Sequence, residues 1–154
     1  MVKRIIIFLA TGCYVGYSPL APGTAGTLAA IPIYFLISRI SPLYYVVIVL
    51  GFTSIAIWAS DGAEILLQSR DCRHIVIDEM VGFMVAMFMV PPTLRNIALG
   101  FVLFRALDII KPFPIRSLEE RVRGGYGVVL DDIIAGIYAN LIIHILRFTM
   151  LKGG

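Results

Sequence analysis

Two pairs of adjacent acids, Asp78-Glu79 and Asp131-Asp132, stand in otherwise apolar runs of this 154-residue chain. A carboxylate at the centre of a membrane helix costs about 2.5–3.5 kcal/mol on insertion scales, and less toward the interface. Neighbouring carboxylates also repel when ionised, unless a proton or a cation lies between them. A hard divalent cation such as Mg²⁺ takes such oxygens and keeps waters for a phosphate. The helix macrodipole, which favours acids in a first turn, is the competing account of Asp131 and Asp132. Arg105, Asp108 and Lys111 follow at i, i+3 and i+6, so neighbours in the trio share a helix surface. They read either as a metal-binding Asp108 between two phosphate-holding cations or as an intrahelical salt bridge. Asp61 and Glu64 read equally as site acids or as a solvated helix end.

A second kind of chemistry is written in GYSPLAPGTAGT, Gly16 to Thr27. Gly16, Gly23 and Gly26 free the backbone, Pro19 and Pro22 fix it, and Ser18, Thr24 and Thr27 add hydroxyls. Free N–H groups and hydroxyls ahead of a helix start are anion-binding equipment. No Gly-Lys-Ser/Thr follows, so this is not a Walker A loop. The chain also lacks a Cys-x5-Arg loop, an Asp-x-Asp-x-Thr motif and a Ser-Arg-x5-His arrangement. Without those covalent nucleophiles, an anion loop beside acids points to attack by metal-activated water. His74 reads as a surface or proton-shuttling residue, and His144 as a hydrogen-bonded packing residue.

The elements that must carry these groups are apolar. Hydrophobic residues make up 59% of the chain and charged residues 15%, against roughly 25% charged in a soluble domain. A chain this short has too little interior to bury so much apolar surface, so an integral membrane protein is expected. Leu43 to Ser60 has no charge and spans about 27 Å as a helix, with tyrosines at one end and Trp58 at the other. Thr27 to Ser38, Ile75 to Val90, Leu94 to Ile110 and Val128 to Phe148 read as further long helices. Asp61 to His74 reads as a helix end and turn, and Ile115 to Arg123 as a short basic amphipathic helix. Ile5 to Val15 is too short to span comfortably. Cys13 and Cys72 read as free thiols, and neither a secretory leader nor a nucleic-acid surface is evident.

If five segments each cross once, every acid above and the Gly/Pro/Thr loop fall on one side. That side also carries Arg70, Arg73, Arg105, Lys111, Arg116, Arg121 and Arg123, against Arg39, Arg95, Arg147 and Lys152 opposite. The positive-inside rule then makes the acidic side cytoplasmic. The formal +3 charge suits anionic headgroups. The rival from another class is a membrane cation-binding or transport protein using the same acids. Its acids should be spread through the membrane depth rather than gathered on one face.

Four runs in order, LATGCYVGYSPLAPGTAGTLAAIP, IVIDEMVGF, FRALDIIKPFPI and GGYGVVLDDIIAGIYANL, resemble the successive motifs of the phosphatidylglycerophosphatase A family. The resemblance covers Leu9 to Leu141 and implies one all-α membrane domain, 1–154, with helices gathered around a central one. It implies a Mg²⁺-dependent phosphatase of the bacterial inner membrane that converts phosphatidylglycerophosphate to phosphatidylglycerol and phosphate. Carried over by motif, Asp78, Glu79, Asp108, Asp131 and Asp132 are the expected metal ligands. Lys111 and Arg105 are expected to balance phosphate charge, with Asp78 or Glu79 as base and Asp132 in the catalytic set. Thr11, Ser18, Gly23, Thr24, Gly26 and Thr27 are expected around the headgroup.

Overall fold

A computed structural model describes residues 1–69, 72–116, 122 and 124–152, and every described element is helical. The helices are α1 (Val2–Ala10), α2 (Pro22–Ile37), α3 (Pro42–Leu67), α4 (Ile77–Ala86), α5 (Leu94–Ile110) and α6 (Gly125–Lys152), with a 3-10 turn at Val15–Tyr17. Pro22 and Pro42 open α2 and α3, where a missing N–H is harmless and the fixed φ is already helical. Thr93 caps α5 by accepting from the Asn96 N–H, and Lys111 closes it in the left-handed region at φ 46°. The observed α5 has the bounds read from the sequence.

Four elements differ from expectation, α2 among them: it begins at Pro22, five residues before the expected Thr27, so Gly23, Thr24 and Gly26 lie in its first turns and not in a loop. α3 continues past Trp58 to Leu67 and takes Asp61 and Glu64 with it, because no breaker stands before Gln68. α6 begins three residues earlier than expected, at Gly125. α4 has only 10 residues, about 15 Å, where a segment from Ile75 to Val90 was expected. The expected amphipathic helix at Ile115 to Arg123 falls mostly outside the described residues, as do Arg70, Arg121 and Arg123. Ile115 itself is buried in the core.

A helix that stops early in apolar surroundings strands its last carbonyls, and each unsatisfied one is costly there. Here side chains from other helices take up two of them, and two more in the turn that follows. The Tyr45 hydroxyl donates to Met84 O at 2.6 Å, and the Asn140 amide donates to Ala86 O and Phe88 O at 2.9 and 2.8 Å. His144 Nε2 lies 3.1 Å from Phe88 O, and Tyr34 donates to Val90 O at 2.5 Å. His144 is thus the hydrogen-bonded packing residue that its sequence position suggested.

α4 is the centre of the bundle and packs against α2, α3, α5 and α6. One of its faces joins Tyr34, Phe104, Ala135, Ala139 and Ile143 in the larger core. The other joins Ala10, Ala56, Ala59, Ala63 and Val129. Two helices, α3 and α6, are long and apolar enough to cross a membrane, and only 28% and 39% of their apolar windows are buried. Core helices of a soluble domain are mostly buried, so these two have the character of membrane-associated segments. α2 and α5, at 16 and 17 residues, fall short of the roughly 20 residues of a typical span. Two such helices, rather than five, therefore stand on length and apolarity.

Candidate active site

The acids converge from three helices around the start of α4. Asp78 and Glu79 occupy its first turn, and Asp132 reaches them from the second turn of α6. One carboxylate oxygen from each of the three lies within 4.8 Å of the others. α5 adds Arg105, whose Nη1 lies 2.7 Å from Asp108 Oδ2 and 3.8 Å from Glu79 Oε1. The Asp108 carboxyl adjoins that of Asp132, and the Asp78 carboxyl adjoins that of Glu79. Two carboxyls can share such a contact only through a proton or a cation.

Asp131 takes a different direction. Successive helical residues point about 100° apart, so Asp132 enters the cluster while Asp131 turns to Lys111. Lys111 Nζ donates to Asp131 Oδ2 at 2.8 Å. The Asp132 N–H donates to Asp131 Oδ1 at 3.1 Å, which fixes that rotamer.

Asp78 Oδ1, Glu79 Oε2 and Asp132 Oδ1 are buried without a hydrogen-bond partner among the described residues. Burial, then the Glu79 charge, pushes the Asp78 carboxyl well above the usual carboxylate range. Burial also raises Glu79, partly offset by its contact with Asp78 and by Arg105. Unsatisfied, mutually repelling oxygens at this spacing suit a hard cation, which would restore their ionised forms. Arg105 Nε is likewise buried without a hydrogen-bond partner among the described residues, a donor beside that position.

The Gly/Pro/Thr segment lies against this cluster, but its hydroxyls are used unevenly. Gly23, in the first turn of α2, faces Glu79 and Arg105 so closely that a Cβ there would lie 3.0 Å from Arg105 Nη2. Gly26 packs on Val76, where a Cβ would sit 2.7 Å from Val76 Cβ, and so lets α2 approach the entry to α4. Thr27 donates to Gly23 O at 2.9 Å, and Thr11 donates to Ile7 O at 2.7 Å while accepting from the Tyr14 N–H. Both threonines are buried, and Ser18 and Thr24 are half-buried.

Sequence reasoning passed over the contact that lets Asp132 reach Asp78. Gly82 and Gly136 bring α4 and α6 together there, and a Cβ on Gly82 would lie 2.7 Å from Asp132 O. The small residues Gly82, Ala135, Gly136 and Ala139 were the available signal. His74 binds the opening loop, with Nδ1 3.0 Å from Gly16 O and its ring stacked on Tyr17.

The profile of the Phosphatidylglycerophosphatase A family matches residues 8–147. The chain belongs to the phosphatidylglycerophosphatase A family. It is 38% identical over 138 residues to Phosphatidylglycerophosphatase A of Escherichia coli, covering 88% of this chain and 80% of that one. With the Haemophilus influenzae protein of the same name it shares 31% over 148 residues, 95% of this chain and 91% of its relative. A Bacteroides thetaiotaomicron protein named "Putative phosphatidylinositol-3-phosphatase" is 37% identical over 152 residues, 94% of each chain. No solved structure was found to match. Membership of the phosphatidylglycerophosphatase A family makes this chain a lipid phosphatase, which decides against the transport reading.

Proposed function

We propose that this single-domain chain is a Mg²⁺-dependent phosphatase that hydrolyses phosphatidylglycerophosphate to phosphatidylglycerol and phosphate. The observation that carries the reading is the buried Asp78, Glu79 and Asp132 set, with three unpartnered oxygens next to Arg105. The substrate comes from family membership and from the names of the two relatives called Phosphatidylglycerophosphatase A.

Asp78, Glu79 and Asp132 hold the cation in this reading, with Asp108 and Asp131 adjoining them. Bound there, Mg²⁺ supplies positive charge against the phosphoryl oxygens and acidifies a water. Arg105 turns its unpartnered Nε toward the phosphomonoester, and Lys111 balances charge from the Asp131 side. Asp78 or Glu79 accepts the proton of the attacking water as its oxygen bonds to phosphorus. The P–O bond to glycerol breaks, and the glycerol oxygen leaves with the proton that this carboxyl took from the water. Gly23 leaves room for Glu79 and Arg105 beside the headgroup, which Ser18 and Thr24 face. Thr11, Gly26 and Thr27 shape the segment around it.

The outward apolar side chains of α3 and α6, among them Leu43, Val47, Leu50, Ile137, Leu141 and Ile145, face lipid. α3 and α6 span the bilayer, and the remaining helices complete the bundle. The excess of Lys and Arg on the acidic side puts the site at the cytoplasmic face of the bacterial inner membrane, where anionic lipid is the surrounding partner.

The test is kcat/KM for phosphatidylglycerophosphate and phosphatidylinositol 3-phosphate in the same micelles with Mg²⁺. The proposal expects the glycerol lipid to be preferred by at least about tenfold, a difference of about 1.4 kcal/mol. The reverse preference overturns the substrate assignment.

A further inference from the structure

α6 carries two of the site acids, yet it starts at Gly124-Gly125, two residues with no side chain to cap it. Helix starts leave four N–H groups without intrahelical partners, and Ser, Thr, Asp or Asn normally serves one of them. In this chain the Gly124 carbonyl accepts from the Gly127 and Val128 N–H groups at 2.8 and 3.2 Å. The Gly125 N–H donates to Asp61 Oδ1, a residue 64 positions earlier and six before the end of α3.

The contact is made between backbones as well as through the side chain. A Cβ on Gly124, which has φ +74°, would lie 2.6 Å from Asp61 Oδ1. One on Gly125 would lie 2.8 Å from the Asp61 backbone nitrogen and would strike Ile57 O. The carboxylate thus meets both an orphan donor and the positive end of the α6 dipole. An acid this far along an apolar helix is costly unless something holds it.

The geometry points to Asp61 as a positioning residue that caps α6 from α3 and sets the register in which Asp131 and Asp132 reach the site. Asp132 lies seven residues beyond Gly125, about 10 Å along the axis. A slip of one residue shifts the helix by about 1.5 Å and turns it by about 100°. That turn would point Asp131 where Asp132 belongs and take Lys111 away from its partner. The Gly82–Gly136 approach fixes how near α6 lies to α4. Asp61 fixes where along its axis α6 begins.

This inference rests on the proposed phosphatase reading, and two readouts keep the two apart. Asp61→Asn keeps the accepting oxygen and loses the charge, whereas Asp61→Ala loses both. With phosphatidylglycerophosphate and saturating Mg²⁺, Asp61→Ala is expected to lower kcat by about tenfold or more with KM within about twofold. Asp61→Asn is expected to stay within about threefold of wild type, since Asn caps as well as Asp. Hydrogen exchange at the start of α6, followed in detergent by mass spectrometry, should quicken by about tenfold in the Ala variant and not in the Asn variant.

An Asn variant as slow as Ala overturns the proposal, because charge and not the cap would then be what matters. So does an Ala variant with wild-type kcat, with its whole loss in KM, or with unchanged exchange. If Asp61→Ala fails to fold, the Asn variant decides: folded and active supports the cap, and inactive or unfolded overturns it. If wild type releases no phosphate from this lipid, the substrate reading fails, and the exchange comparison still decides whether Asp61 anchors α6.

Discussion

Gly23→Ala separates the geometry of the site from the stability of the fold. The added Cβ would fall inside 3.0 Å of Glu79 Oε1, closer than real Cβ contacts occur, and at 3.0 and 3.1 Å from Arg105 Nη2 and Nη1. All three are ends of flexible side chains, so the backbone need not move. The Glu79 carboxylate instead shifts by nearly an ångström, out of its present place beside Asp78 and Asp132. An off-rotamer side chain costs on the order of 1 kcal/mol. Replacing Gly by Ala in a helix returns up to about 1 kcal/mol. The two nearly cancel, so Tm in detergent should change by no more than a few degrees. Activity has no such compensation, because a displacement of about 1 Å in a reacting constellation costs about 100-fold. The assay is kcat for phosphate release from phosphatidylglycerophosphate, with thermal unfolding of the same preparation. Gly51→Ala is the control, since a Cβ there meets nothing within 4 Å. Wild-type kcat in Gly23→Ala would refute the placement of Gly23 over the catalytic acids.

Three further changes probe other parts of the site. Asp132→Asn removes one of three clustered carboxyls, whose charged forms repel, with little change in volume. It should abolish turnover yet raise stability in EDTA by on the order of 1 kcal/mol, and a fall in Tm would contradict the repulsion argument. Lys111→Met leaves Asp131 without its 2.8 Å partner. It should cost about 1–3 kcal/mol and about 10- to 100-fold in kcat, whereas an unchanged kcat would remove Lys111 from the phosphate side. Thr11→Val breaks two hydrogen bonds at the end of α1 and should cost about 1–2 kcal/mol in thermal unfolding. Its kcat should stay within about threefold of wild type, and a large loss would show that the hydroxyl touches the headgroup.

Much of the scaffold could be read before any coordinates. α5 kept its expected bounds because its signals are local: Thr93 before it, Lys111 and Pro112 after it. Counting apolar segments put the acids on one side on the premise of five crossings, of which two helices have the length; Asp78, Glu79 and Asp132 do meet, while Asp131 turns to Lys111. Distances were not legible, since they depend on which backbones touch. Gly82 against Gly136 is a pairing between two helices that nothing in either one announces. α4 looked longer because its apolar run continues to Val90; it ends at Ala86, where donors on α3 and α6 take up Met84 O and Ala86 O. Asp61 looked like a helix end because charge in an apolar run usually marks one. The helix runs past it because its carboxylate is engaged at the start of α6. Thr27 was expected at the headgroup from the loop's composition and Thr11 from the family motif alone; both hydroxyls donate to carbonyls four residues back.

The central claim, a cation held by Asp78, Glu79 and Asp132 for phosphate-ester hydrolysis, is tested most directly by turnover against free Mg²⁺. Phosphate release from phosphatidylglycerophosphate in micelles would be followed from EDTA to saturating metal, for wild type and Asp78→Asn. The account predicts saturable activation of wild type, loss in EDTA, recovery on adding Mg²⁺ back, and no activation of the variant. Turnover indifferent to EDTA, or an Asp78→Asn enzyme activated like wild type, would contradict it.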